Sequence, residues 1–375
     1  MSNTTDTPIR ALIACGGTGG HLFPGIAIAN GLRARGHEAA VVVSEKKIDE
    51  IAMRDYPDIP VFKLPAIASP PLFSPRIVPF ALRFGQASWM ARSIIKGFSP
   101  HAVVGMGGFT SMPVLVAGRA LGLPALLHEA NGIPGRANRL GERLASTMLV
   151  GWDAARSRLQ HSDIRTVGTP IRQGLEQPQD LVKCGETFGL NPDKPILLVI
   201  GGSQGARGLN RLVTGSLSLL AKRLPDLQLL HLTGVDDLEE VKAAYQGSTL
   251  RHFVAAFCHD MEKAYPITNV VVARSGASTL NELATFGLPS ILVPYPHAAD
   301  LHQHANAEIF TDAGAALLAD EDKTEPSDLV DHIVHLLEDR LAYAKMGDAM
   351  RDLAPDDSVD LICDAIEGEV AKKNA

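Results

Sequence analysis

Short apolar runs recur along the chain, each closed by a glycine-rich turn and followed by a stretch with helical spacing. Ile9–Cys15 is the first run, Gly16–Gly20 its turn, and helical spacing then holds from about Phe23 to Arg35. Glu38–Ser44 reads as a second strand, with later ones near Ala102–Gly105, Ala125–His128 and Thr147–Val150. These runs are apolar throughout rather than alternating, as strands buried on both faces are, so the pattern predicts a parallel sheet covered by helices on each side. It then restarts. Pro195–Ile200 is apolar, Gly201–Gly205 is glycine-rich, a helical stretch reaches about Arg223, and strands are predicted near Leu227–Leu232, Asn269–Ala273 and Ser290–Pro294.

The two openings, Gly16-Gly-Thr-Gly-Gly20 and Gly201-Gly-Ser-Gln-Gly205, lie 185 residues apart, the length of one α/β domain. A chain of 375 residues accommodates two. The expected division is 1–175 and 190–357, joined by a polar linker near Gln173–Pro195, with a terminal helix over 358–375 whose docking the sequence does not reveal. In open α/β sheets, ligands bind beyond the carboxyl ends of the strands. If two such domains face each other, their ligands meet in the cleft between them.

Composition narrows the setting. Apolar residues make up 46% and charged residues 21%, as in a globular protein. Met1–Arg10 is polar with no apolar signal core, and no stretch approaches 18 apolar residues, so neither secretion nor a spanning helix is expected. Cys15, Cys184, Cys258 and Cys363 show no paired spacing, which fits a reducing compartment. The net charge of −7 is unevenly spread: residues 1–175 carry 19 Lys+Arg against 11 Asp+Glu, and the rest 16 against 31. No acidic residue lies between Asp58 and Glu129, while Lys63, Arg76, Arg83, Arg92, Lys96 and Arg119 do. The first half is therefore expected to face something anionic.

Three loops, Cys15–His21, Val104–Ser111 and Ile200–Ala206, run from strand to helix and are rich in glycine. Glycine lets the backbone approach a phosphate, and free N–H groups at a helix start attract negative charge, although each loop read alone could be only a tight turn. A dinucleotide fingerprint fails: its third glycine position is Leu22 in the first loop and Thr110 in the second, and the third loop has no Gly-x-Gly. No Gly-Lys-Ser/Thr follows any of them, which excludes a P-loop. In a fourth loop, Val272–Glu282, Ser275, Gly276 and the following N–H groups could hold a pyrophosphate. Glu282, two turns into the helix, either accepts both ribose hydroxyls or is a solvated helix glutamate.

The segments GGTGGHLFPG (16–25), GMGGFTSMPVLVA (105–117), HEANGIPGRANR (128–139), GTPIR (168–172), GGSQGARGLN (201–210), RSGASTLNELATFGLPSILVPYPHAADLHQHANA (274–307) and AGAALL (313–318) follow one another across nearly the whole chain. In these the chain resembles the MurG family, the N-acetylglucosaminyltransferases of peptidoglycan synthesis. The resemblance implies a GT-B fold, two Rossmann-like parallel-sheet domains facing across a cleft, with the acceptor mainly on the N-terminal domain and the donor mainly on the C-terminal one. It implies UDP-GlcNAc and lipid I (undecaprenyl-pyrophosphoryl-MurNAc-pentapeptide) as partners, peripheral attachment at the cytoplasmic face of the bacterial inner membrane, and no role for nucleic acid. Donor-binding roles fall by resemblance on Thr18, Gly19, Gly20, Asn131, Arg172, Ser203, Cys258 (through its main chain), Ala277, Ser278, Thr279, Leu280, Asn281, Glu282 and Gln303. The family often has Gln where this chain has Ala130 and His302, and an aliphatic residue where it has Cys258.

An inverting transfer, as the resemblance implies, needs a base and a stabilised UDP leaving group. Helix N-termini and Arg172 suit the second task without a metal or other cofactor. For the base, His21 stands at a helix start, which lowers a histidine's pKa and favours its neutral form, or it caps the helix or binds phosphate instead. Glu129 is the rival base. Asp320-Glu-Asp322 is the Asp-x-Asp of metal-dependent type, but it is far from the loops and is expected to cap or solvate a turn. His297, His302 and His304 lack a completing carboxylate or cysteine, so no metal is expected.

Leu72, Phe73, Phe80, Leu82, Phe84, Trp89, Ile94 and Ile95 interleave with Arg76, Arg83, Arg92 and Lys96. The pattern suits an apolar patch with a basic rim on anionic lipid, or an amphipathic core helix with solvated arginines; a membrane-borne acceptor favours the first. Competing functions are a UDP-GlcNAc 2-epimerase, another lipid-directed UDP-sugar transferase, and a non-catalytic UDP-sugar-binding subunit.

Overall fold

The computed structural model describes residues 8–16, 19–46, 49–50, 53–65, 75, 77–175, 177–202, 205–354 and 357–374. The chain forms two compact units, one ending at Arg172 and rejoined by the C-terminal segment, the other Gln173–Ala354. The expected boundary at 175 therefore stands at 172.

The sheet of the first unit has the order β3-β2-β1-β4-β5-β6-β7. Its strands are β1 (Arg10–Ala14), β2 (Glu38–Ser44), β3 (Val61–Leu64), β4 (Ala102–Gly105), β5 (Ala125–Glu129), β6 (Thr147–Val150) and β7 (Ile164–Thr166). Every pairing is parallel, with Ala11 of β1 opposite both Ala39 and Ala102. The strand order reverses between β1 and β4, the place where ligands bind in sheets of this kind. Helices α1 (Gly19–Ala34), α2 (Ile77–Phe98), α3 (Gly108–Ala120) and α4 (Arg136–Gly141) cover the sheet. Helix α1 begins a turn earlier than its apolar spacing indicates, because it opens on Gly19 and Gly20, which contribute no periodicity.

The terminal helix Ser358–Asn374 packs on α1 in the first unit, placing Ile362, Cys363, Ile366 and Val370 in one core with Leu22, Ile26 and Leu32. Gly31 permits the approach, since a Cβ there would lie 2.3 Å from Val359. Arg35 meets Asp360, Asp364 and Glu367 at 2.6, 2.6 and 3.0 Å.

The second unit repeats the plan in the order β10-β9-β8-β11-β12-β13. The strands are β8 (Ile196–Ile200), β9 (Gln228–Leu232), β10 (Arg251–Ala255), β11 (Val270–Ala273), β12 (Ser290–Leu292) and β13 (Ala316–Leu318), again all parallel. Its reversal lies between β8 and β11, which lead into α5 (Arg207–Arg223) and α6 (Ala277–Phe286); α7 is His302–Asp312. The stretch expected as linker holds a helix, Leu181–Phe188, capped by the Asp180 side chain on two backbone N–H groups, and it belongs to this unit.

Candidate active site

In the first unit, the end of β1 and the turn after β4 meet at His21. Gly16 lies so close to β2 that a Cβ would fall 2.2 Å from Ser44 N. Gly107 and Gly108 turn with φ of 103° and 70°, where other residues are strained, and a Cβ on Gly107 would press on the His21 ring at 3.0 Å. Ser111 Oγ donates to the carbonyls of Ala14 and Gly107 and holds this turn between β1 and β4. His21 is half-buried in the first turn of α1. Burial pushes its pKa below the ordinary value, against the backbone of Met106 and the charge of Asp49, so the ring is neutral near pH 7. Its Nδ1 is buried with no hydrogen-bond partner among the described residues.

Glu129 ends β5 with its carboxylate buried. Oε1 accepts from the N–H and the side-chain amide of Asn131, both at 2.9 Å; Oε2 accepts from Gly135 N and Asn138 Nδ2, both at 2.8 Å. Burial raises its pKa and these donors oppose the rise. With both oxygens committed, Glu129 clasps the 130–135 loop, a geometry that suits a base poorly. Asn131 is thereby fixed at the strand end. The buried ring of His128 donates through Nε2 to the Gly168 carbonyl at 2.8 Å, and burial pushes its pKa down to about 4. Arg172 lies on this unit, its guanidinium 4.1 Å from the centre of the Phe23 ring, two residues along α1 from His21.

In the second unit the loop from β11 to α6 is locked from below. Ser275 Oγ donates to the Gln303 carbonyl at 2.7 Å, and Asn306 Nδ2 to the Ser275 carbonyl at 3.0 Å. Arg274 is buried, donates to the carbonyls of Val293 and Pro294, and pairs with Glu321. The middle carboxylate of the Asp-x-Asp thus secures the loop, while Asp320 pairs with Lys323. Among the described residues no three His, Cys, Asp or Glu side chains cluster as metal ligands. The N-cap of α6 is Gly276, which offers no side-chain cap to the first turn.

The helix sorts the expected donor residues by face. Ser278, Thr279 and Glu282 reach the surface, but Ala277, Leu280 and Asn281 are buried, and Asn281 bonds back to the Ala277 carbonyl. Burial of these three side chains, set by the 3.6-residue period, leaves their backbone to face a ligand. The Glu282 carboxylate accepts the Tyr265 hydroxyl at 2.6 Å. Gln303 Oε1 accepts Tyr295 N, so what it offers a ligand is chiefly its amide hydrogens. Cys258 is buried just beyond β10, where only its backbone can face a ligand. Gly19 and Gly20 lie in the first turn of α1; Thr18 and Ser203 lie outside the described residues. The contacts of the Asn138, Tyr265 and Ser275 side chains are not visible in their spacing along the chain.

Helix α2 divides the aromatic patch. Ile95 is buried, Phe84 and Ile94 pack on the core, and Phe80 stacks against Phe84 and edge-on to Phe109. They are core-facing rather than exposed, as the inward stripe of an amphipathic helix must be. Trp89 and Leu82 are 72% exposed and Val78 63%, and their spacing aligns them on one outer stripe with Lys96. Arg83 and Arg92 are also exposed; Leu72, Phe73 and Arg76 lie outside the described residues. No described helix is long and apolar enough to cross a membrane.

Two domain families match the chain: the glycosyltransferase family 28 N-terminal domain over residues 11–150 and its C-terminal domain over 196–360. A Shewanella halifaxensis protein is 38% identical over 352 residues, 92% of this chain and 93% of that one. It is named UDP-N-acetylglucosamine–N-acetylmuramyl-(pentapeptide) pyrophosphoryl-undecaprenol N-acetylglucosamine transferase. The chain belongs to the MurG family. A Shewanella oneidensis protein of the same name is 36% identical over 96% of this chain and 97% of its own. The crystal structure of Acinetobacter baumannii MurG superposes with a TM-score of 0.73 at 26% identity, covering 96% of this chain and all of that one. UDP-GlcNAc 2-epimerase from Neisseria meningitidis (TM-score 0.69, 96% of this chain and all of that one) is 12% identical and shares the fold alone. The expected GT-B class, two Rossmann-like parallel-sheet domains, is thus the class of this MurG-family chain.

Proposed function

We infer that the protein is an inverting hexosyltransferase that moves GlcNAc from UDP-GlcNAc to the C4 hydroxyl of MurNAc in lipid I, making lipid II for peptidoglycan synthesis. The observation that carries this is 38% identity spread over nine-tenths of both chains with a transferase of that name. The strand-end loops support it. The N-terminus of α6, behind its glycine N-cap, suits the diphosphate of the donor, and Glu282, fixed by Tyr265, suits a ribose diol. In the transfer the acceptor oxygen bonds to the sugar's anomeric carbon as the bond to UDP breaks. We assign His21 to take the acceptor proton, and Arg172 to offer its guanidinium to a phosphate. The epimerase reading rests on fold alone.

Purified protein is expected to release UDP from UDP-GlcNAc and form the disaccharide only when a short-chain lipid I analogue is present. Free ManNAc formed without acceptor would mean an epimerase; binding without turnover would mean a binding subunit or another acceptor. Glu282→Ala is expected to raise KM for UDP-GlcNAc about 10- to 100-fold, since hydrogen bonds to a charged group contribute about 1.5–3 kcal/mol. Tyr265→Phe should raise it less, by roughly fivefold, through looser placement of the carboxylate. An unchanged KM in Glu282→Ala would remove the ribose assignment.

We also propose that the protein attaches peripherally to the anionic cytoplasmic face of the inner membrane through the outer stripe of α2. Val78, Leu82 and Trp89 would enter the interface while Arg83, Arg92 and Lys96 meet lipid headgroups. Leu82→Glu/Trp89→Glu is expected to weaken binding to phosphatidylglycerol vesicles by at least about 100-fold, because two large apolar side chains lose about 1.5–3 kcal/mol of burial each. Unchanged co-sedimentation would refute this surface.

A further inference from the structure

Asn138, on α4, is 4% exposed and donates both amide hydrogens to acceptors, the His128 carbonyl at 2.9 Å and Glu129 Oε2 at 2.8 Å. Turning the amide over would set its oxygen against two oxygens, so the orientation is fixed and Oδ1 must point away from them. That Oδ1 is buried with no hydrogen-bond partner among the described residues, and so is His21 Nδ1. The two side chains approach the same glycine. A Cβ on Gly107 would lie 3.3 Å from Asn138 Nδ2, 3.3 Å from His21 Nδ1 and 3.0 Å from His21 Cε1. Two buried orphans each cost about 1–3 kcal/mol, and here one can only accept while the other can carry a proton.

We propose that Asn138 positions His21: its carboxamide oxygen accepts the His21 Nδ1 proton, directly or through one water, and leaves Nε2 bare to take the acceptor proton. The inference rests on the assignment of His21 as the base. It also gives Glu129 a part in the chemistry at one remove, since Glu129 anchors the amide that sets the tautomer, much as a buried carboxylate sets the tautomer of a catalytic histidine elsewhere. Nε2 lies on the Gly108 side of the ring, 3.5 Å from where a Cβ would stand, so glycine keeps that approach open. Among the charged and titratable groups around the ring, Asp49 favours its protonation, His128 is neutral, Glu129 is engaged by four donors and Arg172 lies over Phe23. The Met106 backbone is the competing acceptor.

Histidine-selective 15N labelling of the full-length enzyme, with His21 assigned from the spectrum of His21→Gln, reads the tautomer without altering Asn138. A protonated Nδ1 and a bare Nε2 are expected near pH 7.5; a protonated Nε2 overturns the proposal. Asn138→Ala is expected to lower kcat about 100-fold, with KM for UDP-GlcNAc within about twofold, and to mix the two tautomers. Asn138→Asp keeps Oδ1 but sets a second oxygen against the His128 carbonyl and Glu129 Oε2, so it should not restore turnover. Wild-type turnover in His21→Gln would overturn the base assignment, which the tautomer measurement does not depend on. A His21 spectrum and acid limb unchanged in Asn138→Ala would mean that Met106 sets the tautomer and that the proposal is wrong.

Discussion

His21→Gln is expected to lower kcat by about 100- to 10,000-fold, the usual worth of a positioned general base, while KM for UDP-GlcNAc stays within about twofold. The expectation rests on where the ring sits. It stands at the end of β1 beside the β4 turn, at the strand-order reversal of its sheet, and burial keeps it neutral. A pKa held below 6.5 also sets the sign of the pH dependence. The base is competent above its pKa, so kcat/KM should hold down to mildly acidic pH and fall only below the ordinary histidine midpoint. Glu129→Gln is the necessary contrast. Glutamine keeps one acceptor oxygen but puts an NH2 where Glu129 now receives donors, so the 130–135 loop should loosen and thermal stability fall together with activity. If Glu129→Gln abolished turnover at full stability while His21→Gln kept a tenth or more of it, the two roles would have to be exchanged.

The interior of both sheets was legible because buried parallel strands are apolar without interruption. Glu38–Ser44, Ala102–Gly105 and Thr147–Val150 stand at the bounds their composition indicates. The strands that pattern did not indicate are β3, β7, β10 and β13, which are the four edge strands of the two sheets. An edge strand is covered on fewer sides, so it tolerates Phe62-Lys63, Ile164-Arg165 and Arg251-His252, and its apolar signal fades. The glycine loops were legible because close approach and positive φ leave no substitute at Gly16 and Gly107. What holds those loops was not. Glu129 and Asn138 sit nine residues apart in a single recognisable segment, yet nothing in their spacing says that one amide joins them. Tyr265 reaches Glu282 from seventeen residues away, through a fold that brings the end of one short helix against the next. The docking of the C-terminal helix was unreadable for the same reason: its apolar face fits many partners, and only the approach at Gly31 and the Arg35 carboxylate cluster select α1.

Acidification to pH 5 is expected to destabilise both units, each through a buried neutral histidine. In the second unit the fixed amide of Asn210 gives its hydrogens to Thr233 O and Asp237 Oδ2, both at 2.9 Å, so its oxygen must accept His231 Nε2–H. His231 Nδ1 is then the acceptor for the Tyr245 hydroxyl at 3.1 Å, and a second proton on the ring would displace that bond. Burial pushes the pKa of His231 down to about 3, and that of His128 in the first unit to about 4. The sign follows from proton counting. Both folded values lie below the unfolded one of about 6.5, so the unfolded chain binds more protons in acid, and stability present above pH 6.5 is lost as pH falls toward the folded values. Between pH 7.5 and 5 each histidine should remove about 2 kcal/mol, since one unit of displacement is worth about 1.4 kcal/mol. Urea unfolding followed by circular dichroism at the two pH values tests this. His231→Leu, weaker at pH 7.5 for want of its hydrogen bonds, should lose less than wild type on acidification because the proton acceptor is gone. Unfolding midpoints that coincide at pH 7.5 and 5 would show that neither ring is held neutral by the fold, and would remove the ground for reading His21, on α1 in the same unit as His128, as a neutral base.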